Sequence, residues 1–317
     1  MKRLAAASLV IGAFIAAALR AQTPAAEPGY RLRQIAPGIY SGFGTGTVNA
    51  GSNTAVIVNA DDVLVVDAHM TPDAARVLLR ELKTITDKPV RFVVNTHFHY
   101  DHTDGNQVFA PMADIIGHDY TRKRLAGDIL ERGMFATLLA QVREQQTPFA
   151  QQLREVKPTP PTVTLDDRMT LFRGGREIRL IYTGRGHTAG DLVVYLPKER
   201  VLCSGDVLVN GVANLVDGFV NEWPDALEKL RSLDFDDVIP GHGEPFKGKD
   251  RIDWFQAYLR DFWRQASALH DAKVSAEAAA KRMDMTAHRA HYPAITGPGV
   301  NVTGVARVYA VLEGRAD

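Results

Sequence analysis

The 317-residue sequence has little cysteine and no excess of charge of either sign, and each shortage excludes a class of protein. One cysteine, Cys203, rules out an intramolecular disulfide framework and a four-cysteine zinc site. The 37 basic and 37 acidic side chains give a formal net charge of zero. This balance argues against a nucleic-acid partner, because such binding depends on clustered cations that neutralise phosphates. We expect a small-molecule substrate instead.

Long apolar runs are also scarce, and the clearest one covers residues 4–19, directly after two basic residues. A short positive stretch, 16 uncharged residues and small residues around Ala21 are typical of a secretory signal peptide. A membrane span needs roughly 20 apolar residues, which this run does not reach. We therefore expect residues 1–21 to be a signal peptide that is cleaved off after Ala21. The mature protein would be periplasmic or secreted, with no stable membrane anchor.

Short apolar runs separated by turn residues predict two sets of β-strands. The first set covers residues 38–40, 54–59, 63–67 and 91–95, with a helix at Pro72–Leu82 behind the expected N-cap Thr71. The second set covers residues 169–172, 177–183, 191–196, 201–204 and 237–239, with a helix at about 224–233. These patterns predict a catalytic domain at 30–248, which contains a helical insert at about 120–157, and a mostly helical C-terminal extension at 249–317.

Three histidines and one aspartate lie within six residues, directly after the apolar run 91–95. In an extended segment, residues two apart point to the same side, so His97 and His99 can reach one ion together. Asp101 and His102 follow where the chain must turn, and they can face a second position. Such a concentration of metal-binding side chains at the end of a strand predicts a metal site.

Three further candidate ligands, each beside glycine, end later strand-like runs: His187, Asp206 and His242. Imidazole and carboxylate ligands together suit zinc, with iron or manganese possible in mixed sites. We expect two ions, the first held by His97, His99 and His187, the second by Asp101, His102 and His242, with Asp206 bridging them. We expect the other five histidines to have surface or capping roles: His69, His118, His270, His288 and His291.

This arrangement resembles the metallo-β-lactamase superfamily over most of residues 35–250. The motifs that carry the resemblance are Pro37–Tyr40, Val65–Asp67, Thr96–His102, Gly186–Thr188, Ser204–Asp206 and Pro240–Gly243. The resemblance implies an α+β fold, a four-layer αββα sandwich with the metals along the edge between the sheets. In this chain a helical insert and a helical C-terminal tail would be added. The resemblance also implies that Asp67 steadies the metal loop and that Asp101 is catalytic, orienting a bridging hydroxide.

Hydrolysis is the activity that the resemblance implies, since two cations supply hydroxide at neutral pH and polarise the bond under attack. Class B1 β-lactamases carry a cysteine at the position of Asp206 and a lysine at that of Val209, and these departures weigh against efficient β-lactam hydrolysis of that type. A bridging aspartate is similar to the lactonases and glyoxalase II thioesterases. We therefore expect an exported hydrolase with two Zn²⁺ per chain, acting on a small ester, lactone, thioester or β-lactam-like substrate.

Several alternatives remain open at the level of sequence. The protein could be a metal-binding or redox relay protein of the same fold without efficient hydrolase activity. Residues 42–53 could form a mobile flap or a plain hairpin turn, and the insert could be a lid or ordinary core. We expect Cys203 to face the core. Arg185 could bind an anionic substrate group or lie in solvent.

Overall fold

Two β-sheets form the centre of the computed structural model, which describes residues 29–46, 48–127, 129–130, 133–142 and 144–316. The predicted signal segment, residues 1–21, lies outside the described residues. The first sheet contains, in spatial order, β1 (Tyr30–Ala36), β2 (Ile39–Gly44), β3 (Thr54–Val58), β4 (Val63–Val66), β5 (Val90–Val94), β6 (Asp114–His118) and β7 (Val163–Leu165). Strands β1 to β4 pair antiparallel and β4 to β7 pair parallel. The carboxyl ends of β4, β5 and β6 therefore share one edge of the sheet.

The second sheet is built from the later part of the chain. Its strands are β8 (Arg168–Arg173), β9 (Arg176–Tyr182), β10 (Leu192–Leu196), β11 (Val201–Gly205), β12 (Asp237–Pro240) and β13 (Phe246–Lys247), and the spatial order runs from β13 to β8. Strands β11 and β12 pair in parallel, and helix α7 (Trp223–Arg231) connects them. A parallel pair needs such a crossover, so the loops after β11 and β12 emerge on the same side.

The two sheets pack face to face over a core of fully buried aliphatic side chains, among them Leu64 and Val94 from the first sheet and Leu180 and Val194 from the second. Helices cover both outer faces. Those on the first sheet are α1 (Pro72–Leu82) and α3 (Asn106–Phe109), which follows the short α2 (Tyr100–Thr103); those on the second are α7, α8 (Asp250–Asp271), α9 (Ala276–Arg282) and α10 (Val302–Leu312). The expected four-layer αββα sandwich is confirmed.

The helical insert and the helical tail are also present. The insert contains α4 (Asp119–Leu125), α5 (Gly133–Val142) and α6 (Pro148–Arg154), which bury their own apolar cluster against Phe98 of the histidine loop. The tail consists of α8 to α10 with one 3₁₀ turn at Thr286–His288. No helix among the described residues combines the length and the apolar character that crossing a membrane requires.

Local signals predict the boundaries of α1 correctly. The hydroxyl of Thr71 accepts a hydrogen bond from the backbone N–H of Ala74, and Pro72 occupies the first turn, where its missing N–H costs nothing. Strands β1, β6, β7 and β13 were not predicted. Strand β1 has mostly exposed or half-buried side chains and β7 has three residues, so neither carries a strong hydrophobic pattern.

Truncation of Leu64 tests the core between the sheets. Because this side chain is fully buried, Leu64→Ala removes apolar contacts and leaves a cavity, and we expect a loss of about 2–5 kcal/mol in the free energy of unfolding. The matched control Leu312→Ala, at a position 38% exposed, should change it by less than about 0.5 kcal/mol. Urea denaturation measures both, and equal effects would contradict this account of the core.

Candidate metal centre

All seven predicted ligand residues lie together, in loops that leave the same edge of the sandwich. Four follow β5, one lies between β9 and β10, one follows β11 and one follows β12: His97, His99, Asp101, His102, His187, Asp206 and His242. The alignment of strand ends explains this convergence, since residues far apart in sequence leave the two sheets at neighbouring points. Their role as metal ligands is treated below as a proposal.

The first donor group consists of three buried imidazoles. Nε2 of His97 and Nε2 of His187 each lie 2.9 Å from Nδ1 of His99. Tetrahedral zinc, with Zn–N bonds of about 2.0–2.1 Å, would set its ligand nitrogens roughly 3.3 Å apart, so the three nitrogens are close to the required spacing. Burial is the main cause that lowers the pKa of His187 to about 3, and burial also lowers the pKa of His97. Both rings are thus neutral, as metal ligands must be.

The second donor group joins two imidazoles and a carboxylate. Oδ2 of Asp101 lies 3.6 Å from Nε2 of His102 and 3.2 Å from Nε2 of His242. Asp206 lies between the two groups: one of its oxygens is 3.6 Å from Nε2 of His102, and the other is 3.5 Å from Nε2 of His187 and 3.2 Å from Nε2 of His242. This position matches the bridging place expected for Asp206.

Negative charge dominates this second group. Burial opposes charge on all its members, but the neighbouring carboxylates overcome it for His102, whose pKa rises to about 9, and for His242, whose pKa rises to about 11. Conversely, the neighbouring imidazoles lower the pKa of Asp101 to about 2 and also lower that of Asp206, despite the opposing effect of burial. The protein therefore stabilises positive charge at this point.

Three buried polar atoms of the candidate ligands lack a hydrogen-bond partner among the described residues: Nδ1 of His187, Nε2 of His102 and Oδ1 of Asp206. The last two test whether a metal fits. Nδ1–H of His102 donates to Oδ2 of Asp67 at 2.8 Å, and Nε2 of the same ring has no partner. Oδ1 of Asp206 is likewise unpaired. An unsatisfied buried polar atom costs about 1–3 kcal/mol, and both atoms face the other candidate ligands. This nitrogen and oxygen donor set fits divalent cations.

Asp67 connects the loop after β4 to the histidine loop. Its carboxylate accepts hydrogen bonds from the backbone N–H and the hydroxyl of Thr96 and from Nδ1–H of His102, each at 2.8 Å. The backbone of Asp67 is left-handed, with φ of 64°, which turns the chain so that the carboxylate points back at that loop. These are the contacts that the steadying role expected of Asp67 requires.

The end of the 42–53 segment connects two loops of the candidate centre through hydrogen bonds. The hydroxyl of Ser52 donates to the main-chain oxygen of Asp101 at 2.6 Å, and the side-chain amide of Asn53 donates to the main-chain oxygens of Pro240 and Gly243 at 2.9 and 2.7 Å. Both side chains are buried. Residues 52 and 53 thus hold the Asp101 and His242 loops together, a role that is neither a mobile flap nor a plain turn.

Glycine is required where the loops approach each other most closely. A Cβ atom at Gly241 would lie 2.0 Å from Oδ1 of Asp206, a distance that no side chain can occupy. The glycine before His242 therefore lets the loop after β12 pass directly beside Asp206.

The candidate ligands open onto a cavity of about 270 Å³. The polar wall is formed by His99, Asp101, His187, Asp206 and His242, and the opposite wall by Tyr100, Met134, Val209, Val212, Ala213 and Asn214. Met134 comes from α5, while its neighbour Phe135 is buried and lies against Tyr100. The insert therefore supplies both a wall of the cavity and ordinary core. A larger groove of about 570 Å³ lies between β8, β9 and α7, and none of the candidate ligands lines it.

The expectation for His69 was wrong. His69 is fully buried, and its Nε2 lies 2.7 Å from the hydroxyl of Tyr30, in the unpredicted strand β1. His118 does have a capping role, accepting a hydrogen bond from the backbone N–H of Tyr120 at the start of α4. Cys203 lies in the core between the sheets, as expected, and burial raises its pKa. Arg185 forms an ion pair with Glu222.

Asp217 and Trp223 contribute to the centre without having been predicted. Oδ2 of Asp217 lies 2.9 Å from Nε2 of His99, so Nε2–H can donate to it and leave Nδ1 of His99 free to bind an ion. The buried ring of Trp223 packs against His187, and its Nε1 donates to the main-chain oxygen of Val207. Asp217 lies in an irregular segment with no motif around it, so its contact with His99 depends on tertiary structure.

Comparisons with known proteins agree with this architecture. Residues 48–242 match the family described as the metallo-beta-lactamase superfamily. A linear primary-alkylsulfatase from Pseudomonas sp. is 24% identical, over 68% of this chain and 45% of that protein. A 2,4-dinitroanisole O-demethylase subunit alpha from Nocardioides sp. is 30% identical, over 62% of this chain and 54% of that protein. A metallo-beta-lactamase type 2 from Bacillus cereus is 27% identical, over 61% of this chain and 67% of that protein. The chain spans about half the length of the first two. A metallo-beta-lactamase from Pontibacter korlensis is similar in fold, with a TM-score of 0.56 and 20% identity, over 73% of this chain and 99% of that one.

Asp67→Asn tests the support of the centre. Asparagine tolerates left-handed backbone, so the substitution removes one carboxylate oxygen without adding strain. His102 and Thr96 then lose part of their shared acceptor, and we expect metal affinity to fall about 10–100-fold. Competition with a chromophoric chelator measures it. The matched control, Asp87→Asn on an exposed loop, should keep wild-type affinity. Equal affinities of the two variants would contradict the role of Asp67.

Proposed function

The chain belongs to the metallo-β-lactamase superfamily, and on this premise we propose that it is a dinuclear metal-dependent hydrolase. The observation that carries the proposal is the pair of donor groups, which have Asp206 between them and open onto one cavity. The substrate class proposed is a small ester, lactone, thioester or β-lactam-like molecule. Zinc is the metal proposed, because it accepts imidazole and carboxylate together, with iron or manganese as alternatives.

The seven side chains would hold the ions as two groups. His97, His99 and His187 would bind one ion, Asp101, His102 and His242 the other, and Asp206 both. When bound, two such cations lower the pKa of a coordinated water and polarise the substrate oxygen.

Asp101 is the residue proposed to be catalytic. Its low pKa keeps the carboxylate ionised, so it can only accept hydrogen bonds, and it lines the cavity where a water and a substrate would meet. Ser52 and His242 fix it from two sides, through its main-chain oxygen and its carboxylate. A held acceptor of this kind can orient an attacking water.

The cavity wall favours a substrate with an aliphatic substituent and weighs against a β-lactam of the class B1 type. Met134, Val209, Val212 and Ala213 give one side an apolar surface, suited to an aliphatic substituent. Val209 is buried at the place where class B1 β-lactamases use a lysine to anchor a carboxylate. The alkylsulfatase, O-demethylase and β-lactamase activities printed for the relatives belong to those proteins, and their diversity leaves the substrate to be found by assay.

A hydrolase panel on zinc-loaded protein tests the function, with a neutral lactone, an aryl ester, a thioester, nitrocefin and a phosphodiester. We expect turnover of the lactone or the ester. Removal of metal should abolish it, and added zinc should restore it. His97→Ala and Asp206→Ala should each reduce kcat/KM by at least about 100-fold. This reduction exceeds the one expected when a residue that only hydrogen-bonds to a ligand is replaced. The control His291→Ala replaces an exposed ring stacked on Trp254 and should retain wild-type activity.

Two results would overturn this proposal. Full activity after thorough removal of metal would exclude metal-dependent hydrolysis. Two bound ions with no turnover across the panel would instead favour the metal-binding or redox relay alternative.

We also propose that the protein is exported to the periplasm or secreted, on the pattern of residues 1–21 described above. Expression of the full chain in a bacterial host with a secretory system should give a mature protein that starts at Gln22. N-terminal sequencing of protein from the periplasmic fraction checks this. An intact Met1 on cytoplasmic protein would contradict export.

A further inference from the structure

The C-terminal helix α10 makes a polar contact with the segment that carries Asp217. Arg307 donates from Nε to the main-chain oxygen of Gly218 and from Nη2 to that of Asp217, both at 3.0 Å. Its guanidinium also lies over the ring of Phe219, 4.6 Å from the centroid, and that of Arg185 lies over the same ring at 4.4 Å. One side chain of the C-terminal extension thus contacts three successive residues, 217–219.

Residues 217–219, called here the clamp segment, contact His99 and the residue that precedes His187. The carboxylate of Asp217 lies 2.9 Å from Nε2 of His99. The backbone N–H of Phe219 donates to the main-chain oxygen of Gly186, the residue before His187, at 2.8 Å. The clamp segment therefore connects the histidine loop after β5 with the loop between β9 and β10.

We infer that Arg307 is a positioning residue for the three-imidazole metal group, acting through the clamp segment. The inference rests on the metal binding in the proposed function. Two donors of one planar guanidinium fix the carbonyls of two successive residues, and this sets the direction in which the Asp217 side chain leaves the backbone. Lysine has a single ammonium group on a flexible stem, so it cannot hold both carbonyls in one fixed geometry.

On this inference, the C-terminal extension helps to position the metal centre. Helix α10 packs on α8 and α9, so the orientation of Arg307 depends on the folded extension, and His99 and His187 depend on Arg307. Loosening the clamp segment should weaken the alignment of the three nitrogens while leaving the sandwich intact.

Metal titration of full-length variants tests this inference. We use His102→Ala as the background, because His102 belongs to both of the other donor groups found among the described residues. The three-imidazole group is then the complete donor set that remains, and the measured affinity belongs to it. Zinc competition with a chromophoric chelator is then run with Arg307→Met, with Arg307→Lys and with the matched control Arg260→Met, an exposed arginine on α8. We expect about tenfold weaker affinity for Arg307→Met, a smaller loss for Arg307→Lys and none for the control.

Thermal unfolding of each metal-free variant separates positioning from general stability. Unchanged zinc affinity in both Arg307 variants would overturn the inference, and so would a lower unfolding temperature accompanied by unchanged affinity of the folded protein. If Arg307→Met fails to fold, Arg307→Lys decides, because it retains the cation. A wild-type protein that binds zinc but hydrolyses nothing in the panel would overturn the hydrolase proposal alone, since this test reads metal affinity.

Discussion

Carboxylates and imidazole lone pairs gathered in one buried place need positive charge between them, and the rest of this structure depends on that constraint. Nε2 of His102 and Oδ1 of Asp206 lie 3.6 Å apart, and neither has a hydrogen-bond partner among the described residues. Protons can supply the charge, which is why the pKa of His102 is raised. Divalent cations supply it better, because they bind several such atoms at once. Such closely spaced polar side chains must be held in place by the surrounding fold.

The surrounding fold holds these side chains through short polar contacts between loops. Asp67 holds the histidine loop, Asn53 and Ser52 join the loops of Asp101 and His242, and Asp217 supports His99. Each contact joins segments that are distant in sequence, so the centre is rigid only when both sheets are packed. The strand ends bring the loops close, and the polar contacts set their final spacing.

The parts added to the sandwich also take part in the site. The insert contributes Met134 to the cavity wall and buries Phe135 beneath the histidine loop. The C-terminal extension reaches the site through α10 and the clamp segment. Sequence patterns predict that both additions are helical, because amphipathic spacing is a local property. Their contacts with the centre depend on how they pack, which local spacing does not determine.

The sequence by itself determined which side chains are candidate ligands and much of the architecture. Ligand types, their two-residue spacing after an apolar run, and the capped helix α1 are encoded within a few neighbouring residues, so they were predicted from residues alone. Tertiary structure decided what no short pattern encodes: the burial of His69 against Tyr30, the weakly patterned strands β1 and β7, and the contact of Asp217 with His99. The physical reason is that a lone polar residue acquires its role from the partner that folding brings to it.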